Sequence, residues 1–473
     1  MNRVNAGAGL AAGLLACGLA VASVPPAGEV SVFESPAGVA EQCIQVQPAP
    51  DTVLAANDIA ELPRLCGIDF YADDVALCPK TWSTSPATIV HRADGSGSDF
   101  EAKVCGRGTH ARDLAAEGLA DYKMSMNGPD TSATFAPAAL LYFHFSRWFE
   151  AAVQVPPAVY RSMDRQVHLQ RVVEPGVKLT GGREKLAMLH AAWLRMGVAH
   201  RAPEAYSQRT ELYEPGGTLA YGVLLDERGR RYGPEMNGTR ASGWGRGQNE
   251  DFQRTAPFLA LRAPGPLPDA IEQGLAQARR DPVMDGALRG VTPIQVAYWM
   301  RELVDITLLD FIFSQQDRIG NIDYETRWYW AEDGVVKTAN AAGRPPPTAT
   351  SHQPVRIRRS VLNDNDAAGR LAYANYAKTT GMLNGWRHFP AGTYRRLMRL
   401  DRDFASDGPM SEWLEAAFPL SERQRGMIRK NTALAAAIFR TACEKGELAF
   451  DLDPDAFLIH GTVTPREVRC DGS

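Results

Sequence analysis

The chain has no Cys-x-x-Cys pair and no His-Glu-x-x-His segment, and its nine histidines are scattered. Zinc sites typically show their ligands at such spacings, so none is expected. No Gly-x-Ser-x-Gly elbow occurs, which disfavours a serine hydrolase. Nothing in the pattern singles out the two acids of a glycosidase. A charge excess is also missing: 51 Lys and Arg against 55 Asp and Glu leave a net charge of -4, no reason to expect a nucleic-acid partner. A confident membrane anchor is lacking too, since the apolar run over residues 6–24 is short and Gly-rich.

That run says something else. Arg3 precedes it, Ala20-Val21-Ala22 offers a small-x-small cleavage signal, and Ser23 follows, so residues 1–22 read as a secretory signal peptide. Leu14-Leu15-Ala16-Cys17 is a competing lipobox-like reading, and only lipid on Cys17 would make a membrane a partner. The expected destination is a periplasm or the exterior. Removal of the signal leaves Cys43, Cys66, Cys78, Cys105, Cys443 and Cys470, an even count that suggests disulfides in an exported chain. The first four predict an N-terminal network and the last two a separate clasp.

With 473 residues, 45% of them hydrophobic, the chain can bury a large core in two or three domains or in one two-lobed body. Residues 23–84 read as a Pro- and Ala-rich, disulfide-tied extension. Residues 87–92 and 100–105 read as strands around the Gly-rich turn Asp94-Gly-Ser-Gly-Ser-Asp99, where Gly95 and Gly97 would let backbone N–H groups approach phosphates. A helix is expected over 109–121, then a short strand, Tyr122-Lys123-Met-Ser-Met126. An apolar helix over 136–149, an edge strand over 155–161, a helix over 183–196 and a strand over 219–225 follow. Residues 226–262 are rich in Gly and Arg and read as a long ordered loop or insertion, a place for acceptor contacts.

Thr292, Pro293 and Gln295 open the next helix as N-cap, first-turn Pro and capping-box partner. From Ile294 to Phe313 that helix is apolar on nearly every side, as a core helix is. It empties into Ser-Gln-Gln-Asp317-Arg318-Ile-Gly-Asn321-Ile-Asp323. A hairpin over 327–337, a strand over 355–362 and Asn363-Asp364-Asn365-Asp366 come next, and residues 391–448 read as helical. The expected fold class is therefore α+β, a small sheet-rich lobe (85–225) followed by a larger helical lobe (226–473).

Phosphoryl transfer needs a lysine for the phosphates, a carboxylate for the attacking hydroxyl, and a metal held by an acid and an amide. Lys123, Asp317, Asn321 and Asp364 stand in that order. Phe311-Ile-Phe-Ser-Gln-Gln-Asp317-Arg318 resembles the catalytic loop of atypical kinases with an Asp-Arg signature: the secretory-pathway kinases of the Golgi casein kinase type, the type II phosphatidylinositol 4-kinases and the HipA-like kinases. Leu362-Asn-Asp364-Asn365 is similar to their Ile-Asp-Asn metal motif, and Phe143-His-Phe-Ser-Arg147 resembles the helix after the lysine strand of the secretory branch.

The resemblance implies a two-lobed kinase-like fold using ATP with Mg2+ or Mn2+, and a hydroxyl on a protein, sugar or lipid as acceptor. It makes Asp317 the catalytic carboxylate, Asn321 and Asp364 metal ligands, with Asp366 as alternative to Asp364, and Lys123 the phosphate lysine. This chain departs from the pattern in three ways, of which the second acid Asp366 at the metal motif is one. Asn321 is four residues after Asp317 where the family has five, and Ala139 stands where the family's helix carries a Glu for the lysine. Lys103 with Glu117 is an alternative lysine–acid pair. An inactive binding module and a nucleotide transferase on the same fold are the alternatives to a kinase.

Overall fold

In a computed structural model the structure describes residues 25–346 and 353–472. The signal-peptide reading and Cys17 lie outside the described residues, as do residues 347–352. The protein is α+β: a sheet-rich N-terminal region precedes a helical C-terminal region.

Seven strands form the first sheet: β1 (Gly28–Glu34), β2 (Ala40–Val46), β3 (Val75–Pro79), β4 (Thr88–Arg92), β5 (Glu117–Met124), β6 (Ala158–Asp164) and β7 (Leu219–Leu225), in the order β1-β2-β6-β7-β5-β4-β3. Residues 23–84 therefore supply three strands of the main sheet and are no appendage. Their alternation is weak because β3 is buried at every position and β1 is mostly exposed, so neither shows the period of a half-buried strand. Disulfides Cys43–Cys66 and Cys78–Cys105 tie β2 to the Ala56–Cys66 helix and β3 to the turn after the Gly97–Lys103 helix, and Cys443–Cys470 is a separate clasp at the other end of the chain.

Three local expectations fail for physical reasons. Residues 100–105 belong to a helix, Gly97–Lys103, because the Ser96 side chain accepts from the Asp99 N–H and starts a helical turn. β5 begins at Glu117, so the helix expected up to residue 121 is only His110–Leu114. β6 is not an edge strand: it lies between β2 and β7, and Pro156-Pro157 precede it outside the ladder.

The helical region is built round the Pro293–Phe313 helix, buried along nearly its whole length. Thr292 caps it as expected. Gln295 does not complete a capping box; its amide exchanges two hydrogen bonds with the Arg358 backbone, at 2.9 and 2.8 Å. The three acids of this helix each fasten a different segment. Glu302 holds Arg359 and Ser360, Asp305 accepts from the Ala152 N–H at 2.6 Å, and Asp310 accepts from the Tyr142 hydroxyl at 2.6 Å and pairs with Arg318. Buried acids are costly unless fully paired, and here that pairing fixes the helix against both regions.

A second sheet lies on the helical region. It comprises β8 (Arg230–Arg231), β9 (Asp323–Glu332), β10 (Val335–Asn340) and β11 (Val355–Val361), with β9 central. The helices Ala391–Ala405, Pro409–Ala417 and Glu422–Glu444 complete the helical region. Among the described residues no helix is long and apolar enough to cross a membrane.

Candidate active site

Ser314 ends the core helix in the left-handed conformation, with φ of 58°, and turns the chain into the Asp317 loop. Two side chains stitch this loop to the segment after β11. Gln315 donates to the Asp364 carbonyl at 3.2 Å and accepts from the Asp317 N–H at 3.0 Å. Arg318 is buried, bound to Asp310, and donates to Asn365 Oδ1 at 2.8 Å. Arg318 is thus a brace and not a solvated charge. The two acidic motifs are locked into one unit.

Asp317 and Asn321 share a turn, in which Asn321 Nδ2 donates to the Asp317 carbonyl at 2.8 Å. The Asp317 carboxylate accepts from the Trp244 indole N–H at 3.4 Å. Burial raises its pKa above the usual carboxylate range; the indole works against that shift and the neighbouring Asp364 adds to it. Asp364 lies between two cations: Lys123 Nζ is 3.2 Å from Oδ1 and Arg231 Nη2 is 3.3 Å from Oδ2. Burial alone would raise Asp364, but Lys123, Lys80 and Arg231 hold it below the usual range.

Lys123 is buried on β5 and pairs with both Asp364 and Glu227. Burial would lower its pKa; Glu227, Asp366 and Asp364 outweigh that and keep it protonated. The partner missing from the 137–148 helix, where Ala139 stands, is supplied by the segment that follows β7. An unpaired buried ammonium would be costly, and Glu227 removes that objection to Lys123. Lys103 is excluded as its substitute: it is exposed and pairs only with Asp99, one helical turn away. Glu117 is exposed as well and pairs with Arg92.

Gly95 and Gly97 are not at this site. They follow Arg92, which pairs with Glu117, while Thr88 at the opposite end of β4 pairs with Tyr122 beside Lys123. About 13 Å of strand separates the two ends. Gly97 has a packing reason instead, since a Cβ there would lie 2.2 Å from the Val75 carbonyl oxygen. The turn at the Lys123 end is residues 80–87, between β3 and β4.

That turn begins with Lys80, which is buried and acts electrostatically on Asp121, Asp364 and Asp366. Lys80, Glu227 and Arg231 were not legible as site residues. A faint signal for Glu227 and Arg231 was the charge-dense run Asp226-Glu-Arg-Gly-Arg-Arg231 directly after a strand. Residues 226–262, expected as a long ordered loop or insertion, hold β8, three short helices, and Glu227 and Arg231, which pair with Lys123 and Asp364. Gly229, with φ of +93°, is needed there because a Cβ would lie 2.8 Å from the Tyr324 carbonyl oxygen.

The donors fit a hard divalent cation. Asp364 and Asn321 offer oxygen only, as Mg2+ and Mn2+ prefer. Asp366 adds a buried carboxylate that no hydrogen bond reaches among the described residues, and burial raises its pKa. Among the described residues no three His, Cys, Asp or Glu side chains form a ready metal cage, so further ligands would have to come from substrate or water.

No family model matches the chain, and no curated protein is significantly similar to it. Among solved structures, the chain is similar to the crystal structure of the Golgi casein kinase with Mn/ADP bound, with a TM-score of 0.39 and 11% identity over 82% of each chain.

Proposed function

We propose that this cleft binds ATP with Mg2+ or Mn2+ and transfers the terminal phosphate to a hydroxyl. One observation carries the reading: Lys123, Asp317, Asn321 and Asp364, from three separate segments, meet in one connected network of contacts. In this reading Lys123 and Lys80 draw the phosphates, and Asp364, Asn321 and Asp366 are the metal ligands. A metal held by these residues would neutralise charge on the phosphate oxygens. Asp317 takes the proton of the acceptor hydroxyl as its oxygen bonds to the terminal phosphorus. The bridging P–O bond then breaks, and its electron pair leaves with the nucleoside diphosphate.

Trp244 is two-thirds exposed beside Asp317 and packs edge-on to Tyr376, so it presents an aromatic face where the acceptor would lie. Three disulfides support export, in keeping with the N-terminal signal reading. A lysine without an acidic partner would favour an inactive binding module, and the Glu227 contact speaks against that.

The test is a melting experiment. Mn2+ with ATP is expected to raise the melting temperature by about 2 °C or more, as saturating ligand does for a protein of this size. Asp364→Ala should abolish the shift. No shift with any nucleotide would leave the binding-module reading. Label placed on the γ-phosphate should reach the acceptor; transfer of α-label would indicate nucleotide transfer instead.

A further inference from the structure

The Arg231 guanidinium spans the very oxygens assigned to the metal. It donates to Asn321 Oδ1 and to the Gly320 carbonyl, lies 3.3 Å from Asp364 Oδ2, and is fixed on its inner side by Asp323 Oδ1 at 2.7 Å. A cation coordinated by Asn321 and Asp364 would need the same lone pairs. Two cations cannot share them, because their mutual repulsion would add to the loss of ligands.

The setting lets the arginine leave. β8 is only two residues long, and the Arg231 side chain is nearly half exposed. It can swing out without opening the core. A departing guanidinium needs a new anionic partner, and the phosphates of a bound nucleotide offer oxygens that suit its planar fork. Asp323 would still hold the Nε edge, so the head would pivot about that contact.

We infer that Arg231 is a built-in competitor of the divalent cation, occupying the Asn321–Asp364 position until metal and nucleotide arrive together and draw the guanidinium onto the phosphates. This rests on the proposed nucleotide–metal reading of the same cleft. It adds that the free protein binds metal weakly by design of its own side chain, and that metal and nucleotide bind with positive coupling.

The test uses the full-length exported chain and Mn2+ alone, with free Mn2+ read by electron paramagnetic resonance. Arg231→Gln should tighten Mn2+ binding at least tenfold over the wild type, and Asp364→Asn in that background should remove the gain. The favourable coupling between Mn2+ and ADP should also shrink in Arg231→Gln. Unchanged or weaker Mn2+ binding by Arg231→Gln would overturn the inference and reduce Arg231 to a clasp between β8 and the Asp317 loop.

If Arg231→Gln fails to fold, Arg231→Lys decides. Its single nitrogen cannot reproduce the three contacts that Nε, Nη1 and Nη2 make to Asp323, Asn321 and Asp364, so Mn2+ binding should tighten, though less; no change would again overturn the inference. The underlying nucleotide reading fails differently: Mn2+ tightening would persist while neither protein responds to ATP or ADP.

Discussion

Replacing Asp317 by Asn is expected to lower phosphate transfer by about 10²- to 10⁴-fold, the usual contribution of a positioned general base, while leaving the nucleotide-induced melting shift intact. The reason is that the two acids of the cleft have different surroundings. Asp364 faces Lys123 and Arg231 and is held ionised, as a metal ligand must be. Burial in its turn raises the proton affinity of Asp317 toward that of a useful base, and the neighbouring Asp364 carboxylate adds to this against the opposing indole N–H of Trp244. Asp364→Asn should therefore lose both binding and transfer, whereas Asp317→Asn loses transfer alone. Steady-state rates with γ-labelled ATP, measured beside thermal shifts of the same preparations, check the separation. Equal loss of both properties in the two variants would remove the distinction between base and metal ligand.

The second large effect concerns stability. His144 is buried against Phe143, Trp413 and Phe418, and its Nε2 has no hydrogen-bond partner among the described residues. Burial, aided by Arg147, lowers its pKa to about 3. A histidine that stays neutral in the fold but titrates normally when unfolded contributes stability above its unfolded value, about 6.5. That contribution is lost as pH falls toward the folded value, by about 1.4 kcal/mol per pH unit. His144→Phe fills the same aromatic site without a titrating group. Relative to wild type, the variant should gain about 3 kcal/mol between pH 7.5 and pH 4.5. Urea unfolding at the two pH values measures this difference directly. A parallel pair of curves would mean that His144 is solvated and charged at low pH in the fold.

His144 belongs to a motif, Phe143-His-Phe-Ser-Arg147, that the sequence did make visible, and the contrast with the rest of the site is physical. Covalent proximity and periodicity report on elements. The all-round apolar pattern of 294–313 marked the core helix, the Asp317 loop followed from its end, and the alternation of 355–362 led to Asp364. Parity and clustering of cysteines separated the early pairs from the late one.

Ion pairing across long separations leaves no such trace. Glu227 meets Lys123 because β7 lies beside β5 and the chain exits that strand next to the lysine, a consequence of sheet order alone. The helix that carries Ala139 is the wrong neighbour of the strand to supply that partner, and Glu150 just beyond it pairs with Arg396 in the helical region. Lys80 was hidden because the strand before it is buried on both faces and carries no alternation. The 94–99 turn shows the same limit, since a glycine demanded by packing, as Gly97 is, and a glycine offered to phosphate look identical in one dimension.

The central claim is that Asp364 and Asn321 hold a metal that a nucleotide shares. Anomalous diffraction from crystals grown with Mn2+ and ADP tests it most directly. The account predicts a manganese peak about 2.2 Å from an Asp364 carboxylate oxygen, with the Arg231 guanidinium turned away from Asn321. A nucleotide bound with no manganese peak at Asp364, or with Arg231 still spanning Asn321 and Asp364, would contradict it.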